Sequence, residues 1–269
     1  IGATTALFTG ILGLVQNDIK RVIAYSTLSQ LGYMVAAAGV SAYSVSLFHL
    51  MTHAFFKALL FLAAGSVIVA LHHEQDIRKM GGLRSKLPIT YLTSLIGSLA
   101  LIGFPGFSGF FSKDALIEAI GHADILGSGY AYASVLIGVF ITALYTFRLF
   151  FKVFHGAQDD HHQDVKESPL SITLPLILLA IPSVIVAWPT VGPMVFGSYF
   201  ANSISQPDAY QIFGYEFTTA LGFLVHALSS PVIYIAVFGV LTAYVLYIYK
   251  PSILENKYLE SSFIYRLLD

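Results

Sequence analysis

Cysteine is missing from the 269-residue sequence altogether. Disulfides, thiolate metal clusters and a bound iron–sulfur centre are therefore excluded on ligand grounds. Charge is nearly as scarce: Asp, Glu, Lys and Arg make up 11% of residues against 56% hydrophobic ones, and the mean hydropathy is +0.75. A water-soluble core could not enclose so much apolar surface, so an ordinary soluble domain is excluded. The formal net charge of −1 and the lack of any basic patch give nucleic acid no electrostatic footing. Ile1 opens in the middle of an apolar run, without the basic start and small-residue cleavage site of a signal peptide. The chain is thus expected to be a piece of a longer protein.

What the sequence has instead is long apolar runs. A bilayer admits only helices or closed barrels, and these runs are continuous rather than short and alternating. They predict an all-α, polytopic transmembrane helical bundle. Seven segments are expected: residues 1–15, 22–40, 42–71, 88–121, 131–154, 170–193 and 231–249. The third would be about 45 Å long if wholly helical, more than the bilayer core, so it should tilt, bend or project. The fourth is also too long, and it contains the run Gly103, Phe104, Pro105, Gly106, Phe107, Ser108 and Gly109. Proline removes a backbone donor and glycine tolerates non-helical dihedrals, so this helix should break inside the membrane. The apolar piece from Phe217 to Leu228 is too short to cross and is expected to be interfacial or re-entrant.

The basic residues test this count. With alternating segments, one side receives Lys20, Arg21, Arg78, Lys79, Arg84, Lys86, Arg148, Lys152, Lys166, Lys250, Lys257 and Arg266, which is 12 of the 14. The opposite connections, near Ala42, at 122–130 and at 194–230, receive none. That asymmetry marks the basic side as cytoplasmic.

The two basic residues left over, Lys57 and Lys113, fall within apolar segments. A charge at the bilayer centre costs about 2.5–3.5 kcal/mol on insertion scales, so such residues face a hydrated interior or snorkel to the interface. His49, His53 and Lys57 are spaced i, i+4, i+8, which sets them along one helical face. Histidine changes charge near neutral pH, and a desolvated lysine exchanges protons, so the row suits proton transfer; interhelical hydrogen bonding is the plainer reading of the histidines. Lys113 is followed by Asp114, with Glu118 one turn along, beside the expected break. These form a second ion-handling centre, or Asp114 caps and neutralises the second half-helix. Ser26, Thr27, Ser29 and Gln30 line a water wire or bond between helices. His72, His73 and Glu74, and His155 with Asp159, Asp160, His161 and His162, are expected to be solvated loop residues rather than metal sites.

Three strings then carry a resemblance: VQNDIKRVIAYST at 15–27, HLMTHAFFKALLF at 49–61 and GFSGFFSKD at 106–114. As a set they resemble the antiporter-like membrane subunits of NADH:quinone oxidoreductase, respiratory complex I. Among these the match is closest to subunit L, called chain 5 in mitochondria; the Ser-Lys-Asp after the break favours L over the similar M subunit, which carries glutamate there. The resemblance implies two inverted helical repeats, each with a broken helix, of which this chain holds mainly the second. Residues 1–155 would form that antiporter-like, proton-translocating repeat, and 156–269 the C-terminal transmembrane helices leading toward a lateral helix.

By the same resemblance, Lys57 and Lys113 match central and terminal proton-handling lysines, and His49 and His53 connecting histidines. Asp114 matches the acidic partner of Lys113, and Asp18 and Lys20 polar positions near the cytoplasmic side. The family implies a multi-pass subunit of a bacterial inner membrane rather than a mitochondrial one, partnered by lipid and by the other membrane subunits of complex I. Cofactors would be absent here, with NADH, FMN, iron–sulfur clusters and quinone in other subunits. Protons would load Lys57 through the histidines and pass to Lys113, driven by quinone reduction elsewhere. An Mrp-type cation/proton antiporter, a membrane subunit of an energy-converting hydrogenase and a non-transporting scaffold are the alternatives.

Overall fold

The computed structural model describes residues 1–156, 164–200, 203–204, 212–213 and 219–253. Among these there is no strand. The helices are α1 (Gly2–Val15), α2 (Ile19–Gly39), α3 (Tyr43–Ala70), α4 (Pro88–Ile102), α5 (Ser108–His122), α6 (Ser128–Phe154), α7 (Leu170–Ile185), α8 (Ala187–Val191), α9 (Ala220–Ala227) and α10 (Pro231–Tyr244). Single π turns continue α8 over Gly192–Phe196 and α10 over Val245–Tyr249. Among the described residues, three helical stretches are long and apolar enough to cross a membrane, Tyr43–Ala70, Ser128–Phe154 and Pro231–Tyr249, and a bent pair from α7 into α8 makes a fourth.

Local chemistry sets the joints. The Asp18 carboxylate accepts from the backbone N–H groups of Lys20 and Arg21 at 2.8 and 3.0 Å and so starts α2. Pro88 opens α4, where its missing N–H is not needed. The expected single span 170–193 is instead bent by 42° after Ile185. Pro189 accounts for it: a proline there cannot donate to Ile185, and its ring collides with that carbonyl. Residues of the Phe217–Leu228 piece before Thr219 lie outside the described ones; the rest forms the eight-residue α9, shorter than a span, against α5 and α8.

The connections rich in basic residues meet at one end. Ile19 N–H donates to Gln75 O at 3.0 Å and Ile77 N–H to Asn17 O at 2.9 Å, tying the α1–α2 joint to the α3–α4 connection. Arg84 N–H reaches Phe154 O at 3.3 Å, and the Glu167 carboxylate accepts from Ile89 N–H and the Thr90 hydroxyl, both at 2.7 Å. Helix directions therefore alternate as the basic residues require; Lys257 and Arg266 lie outside the described residues. One apolar core gathers the basic-end halves of the helices, including Ile23, Leu60, Leu101 and Phe150, and a second the opposite halves, including Tyr33, Phe48, Phe111 and Val139. Residues beyond 155 enter both, with Ala243 in the first and Phe223 in the second. Leu174, Leu178 and Ile181 of α7 and Phe238 and Leu241 of α10 stay exposed, as lipid-facing side chains do.

Candidate functional site

Between the two cores lies the break foreseen at Pro105. α4 ends on Gly103, in the left-handed region at φ +80°, whose N–H bonds Ala100 O at 3.2 Å while Phe104 N–H bonds Leu99 O at 2.9 Å. Gly109, in the first turn of α5, lies so close to the Ala100 carbonyl oxygen that a Cβ there would overlap it. The far side of the break is tied down by Trp188, whose Nε1–H donates to Gly106 O at 2.9 Å, and by the Ser108 hydroxyl, which donates to Ser183 O at 2.6 Å.

Lys113 reaches back across this break. Its Nζ donates to Leu101 O at 3.4 Å, one of the carbonyls that the end of α4 leaves without a helical partner. It also lies 5.3 Å from the centre of the Tyr33 ring, which the tyrosine's own hydrogen bond to Val135 O at 2.7 Å holds in place. Lys113 is 1% exposed.

The expected row on α3 is present and faces inward. Lys57, 4% exposed, is in very close contact with the Ser26 hydroxyl and donates to Ile23 O at 3.4 Å. His49 lies between two polar side chains, Nδ1 at 2.8 Å from the Ser112 hydroxyl and Nε2 at 3.2 Å from Gln30 Oε1. Thr52 Oγ1 is 2.7 Å from the same Ser112 oxygen. The rings of His49 and His53 are 5.9 Å apart. Ser112 precedes Lys113, so α3 and α5 are joined by a polar line from Lys57 through His53, His49 and Ser112 to Lys113. The histidines thus lie between the lysines rather than ahead of Lys57.

Three buried polar atoms beside this line have no protein partner among the described residues: His53 Nε2, Gln30 Nε2 and the Tyr145 hydroxyl. Tyr145 points toward Ser26, Gln30 and Thr142 without reaching hydrogen-bond geometry to any of them. Atoms of this kind in protein interiors are what bound water satisfies. Of the four polar residues expected on α2, Ser26 and Gln30 face the line. Thr27 bonds Ile23 O at 2.9 Å and Ser29 bonds Ala6 O at 2.7 Å, so those two serve the helices.

The remaining candidates are elsewhere. Among the described residues, neither Lys57 nor Lys113 forms an ion pair with a carboxylate. Asp114 is buried one step round α5 from Lys113, near Ser230 and Glu118, and it caps nothing: the residue ahead of α5 is Phe107, and no side chain bonds that end. Glu118 pairs with His226 Nε2 at 2.9 Å. Asp18 and the exposed Lys20 sit at the basic end. Glu74 folds onto the N–H groups of Gln75 and Asp76, at 2.8 and 2.9 Å, and the bond from Asp76 holds its carboxyl below the usual range. Asp76 is held low by the Arg78 guanidinium at 2.7 Å. His155 packs on Tyr91, and Asp159 to His162 lie outside the described residues. Ser112, Thr52, Tyr33, Tyr145 and His226 were not singled out by the sequence; Ser112 was within reach, inside the Ser-Lys-Asp string.

Comparison with known proteins places this geometry. The family described as "NADH:quinone oxidoreductase/Mrp antiporter, TM" matches residues 1–144. The chain belongs to this family. Among relatives, it is 54% identical to the NADH-quinone oxidoreductase subunit L of Neisseria meningitidis over 94% of this chain and 41% of that protein. The subunit L of Escherichia coli is 52% identical over 72% of this chain and 31% of that protein, and the NADH-ubiquinone oxidoreductase chain 5 of Marchantia polymorpha 50% over 76% and 31%. The chain therefore spans less than half the length of these relatives. In three dimensions it is similar to a chain of an archaeal membrane-bound sulfane sulfur reductase, with TM-score 0.71, 28% identity and 91% and 40% of the two chains covered. The Mrp complex of Dietzia, with TM-score 0.67 and 22% identity over 91% and 26%, shares the fold. Membership agrees with the all-helical, membrane-embedded bundle, and the break between α4 and α5 sits within the matched residues.

Proposed function

We propose that the chain is the second-repeat portion of a proton-translocating membrane subunit of NADH:quinone oxidoreductase. The buried line from Lys57 to Lys113 carries this reading. Both lysines are buried, their partners among the described residues being dipoles and a ring, and every step between them meets a hydroxyl, an imidazole or an unsatisfied polar atom. A proton held on Lys57 passes by way of His53, His49 and Ser112 to Lys113. The helix break then helps, because the Leu101 carbonyl and the Tyr33 ring stabilise the arriving charge without an anion that would trap it. Residues 1–155 hold this path, and 156–269 brace it through α7, α8 and α10.

In this account NADH, FMN, iron–sulfur clusters and quinone belong to other subunits, whose redox chemistry shifts the charges that move the proton. The chain's partners are lipid and the other membrane subunits of complex I, and its place is a bacterial inner membrane with the connection 72–87 cytoplasmic and 122–130 on the opposite face. Single cysteines introduced in those two connections should label from opposite sides of intact cells; equal labelling from outside would overturn the orientation. Function is tested by Lys57→Met in the assembled complex, which should lower proton uptake per NADH oxidised more than replacement of His49, since water can bridge at His49 whereas Lys57 is where the path begins and the one lysine of α3. Wild-type uptake in Lys57→Met would count against the path.

A further inference from the structure

The break that sets Lys113 against Leu101 has little of its own to fix its geometry. Gly103 and Gly106 both lie in the left-handed region, at φ +80° and +89°, and no side chain caps the start of α5. Among the described residues, the side-chain hydrogen bonds that join residues 104–108 to other helices both go to α7 and α8. They are the bond from Trp188 to Gly106 O and the bond from Ser108 to Ser183 O. The Trp188 ring also stands edge-on to Phe111 of α5, with the centroids 5.0 Å apart. The other end of α7 is fastened to the start of α4. Glu167 Oε2 accepts from the Ile89 and Thr90 N–H groups at 2.7 and 3.2 Å, and Oε1 accepts from the Thr90 hydroxyl at 2.7 Å. Beside it the buried Ser66 hydroxyl is 2.7 Å from both Thr90 Oγ1 and Ser168 Oγ, which draws α3 into the same joint. α4 and α7 have 15 and 16 residues, about 22–24 Å each, so a helix fastened beside the start of α4 ends at the break.

We propose that α7 is a strut laid across the broken helix, and that Glu167 and Trp188, which fasten its two ends, are positioning residues for Lys113. The inference rests on the reading of Lys113 as a proton carrier. Glu167 ties the strut to α4, which supplies the Leu101 carbonyl, and Trp188 ties it to α5, which supplies the lysine. The strut thereby sets how the two half-helices face each other. The same rotation of α5 aims Ser112 at His49, because Ser108, bonded to Ser183, stands one turn before Ser112 on the same face. Both contacts that matter to the proposed path, Lys113 with Leu101 and Ser112 with His49, then depend on two side chains that touch neither lysine nor histidine of the line. Proton transfer is sensitive to misplacements of this kind, since donor and acceptor must stand within hydrogen-bond reach. Trp188 and Glu167 both lie beyond residue 144, where the family match ends, so the strut gives the C-terminal part of the chain a direct hold on the break.

The test uses the whole complex in proteoliposomes, with protons moved per NADH oxidised as the readout, so that a lower yield of any variant does not enter. Trp188→Phe keeps a ring against Phe111 and removes the donor to Gly106. Glu167→Gln keeps the size of the side chain but turns an amide N–H group toward donors that a carboxylate accepted. Each should keep NADH oxidation and lose part of the coupling, and each should add no further loss when combined with Lys113→Ala, because both act through that lysine. Ser108→Ala should lose coupling in the same way, and Ser108→Thr, which returns the hydroxyl, should regain it. Full coupling in either Trp188→Phe or Glu167→Gln, while Lys113→Ala is uncoupled, would overturn the strut and leave the carrier reading standing. A further loss on top of Lys113→Ala would show general destabilisation and would also overturn it. Full coupling in Lys113→Ala would overturn both readings.

Discussion

Arg148 and Lys113 are both hidden charges, 6% and 1% exposed, yet they are held in opposite ways. Arg148, in the last turns of α6, donates to Gln16 O at 2.5 Å and to Asn17 Oδ1 at 2.7 Å, bracing the α1–α2 joint with the planar fork of an always-charged group. Lys113 has one long bond to a helix-end carbonyl and an aromatic face. The basic end as a whole follows the arginine: Asp18 caps, Asp76 clasps Arg78, and Glu167 holds the start of α4. A satisfied charge fixes a joint, whereas a charge supported only by dipoles is free to change. The difference separates the joints that Arg148 braces from the charge to which the proposed function gives the proton.

The largest effect should come from breaking the scaffold. Arg148→Met leaves two acceptors without their donor, at about 1–3 kcal/mol each, and should lower the thermal midpoint and yield of the assembled complex. Arg148→Lys should not restore them, because a point charge cannot replace the fork. Stability like wild type in Arg148→Met would erase the distinction between the two charges. Gly109→Ala comes next. Its methyl group would strike the Ala100 carbonyl, so the half-helices must part, at a cost on the order of 1–3 kcal/mol, with Lys113 drawn away from Leu101 and pumping reduced. Gly106→Ala, which meets open space but sits at φ +89°, should cost roughly 1 kcal/mol of backbone strain and disturb pumping less.

Smaller effects sharpen the same contrast. Ser112→Ala removes the oxygen shared by His49 and Thr52, worth about 1 kcal/mol, and should slow proton transfer while leaving the amount of assembled complex unchanged. The weakest handle is acid. Asp76 and Glu74 are held below the usual carboxylate range, so the order they give the 74–79 connection is present above that range and lost as pH falls through their lowered values. Both are near solvent, so amide exchange at 74–79 should quicken in acid without global unfolding.

The sequence disclosed what periodicity and burial cost can disclose. Continuous apolar runs marked the helices, the Pro105 region marked the break, and helical spacing put His49, His53 and Lys57 on one inward face. The lopsided basic residues set the helix directions, which the contacts between Asn17, Ile77, Arg84 and Phe154 repeat. Long-range partners were beyond it. Ser112 touches His49 across 63 positions and His226 touches Glu118 across 108, and no local pattern signals either. Asp114, which the resemblance makes the acidic partner of Lys113, forms no ion pair with it among the described residues, as side chains of helix neighbours point about 100° apart. The bend after Ile185 was missed because an apolar run was weighed above Pro189 within it.

The most direct test of the account compares Lys113→Ala with Lys113→Arg in the reconstituted complex, recording proton uptake beside NADH oxidation. If Lys113 carries protons, both variants oxidise NADH with diminished uptake, since alanine has no charge to hold and arginine cannot release its proton. Full coupling in Lys113→Arg would show that a fixed positive charge at the helix break is enough, and would contradict the carrier role.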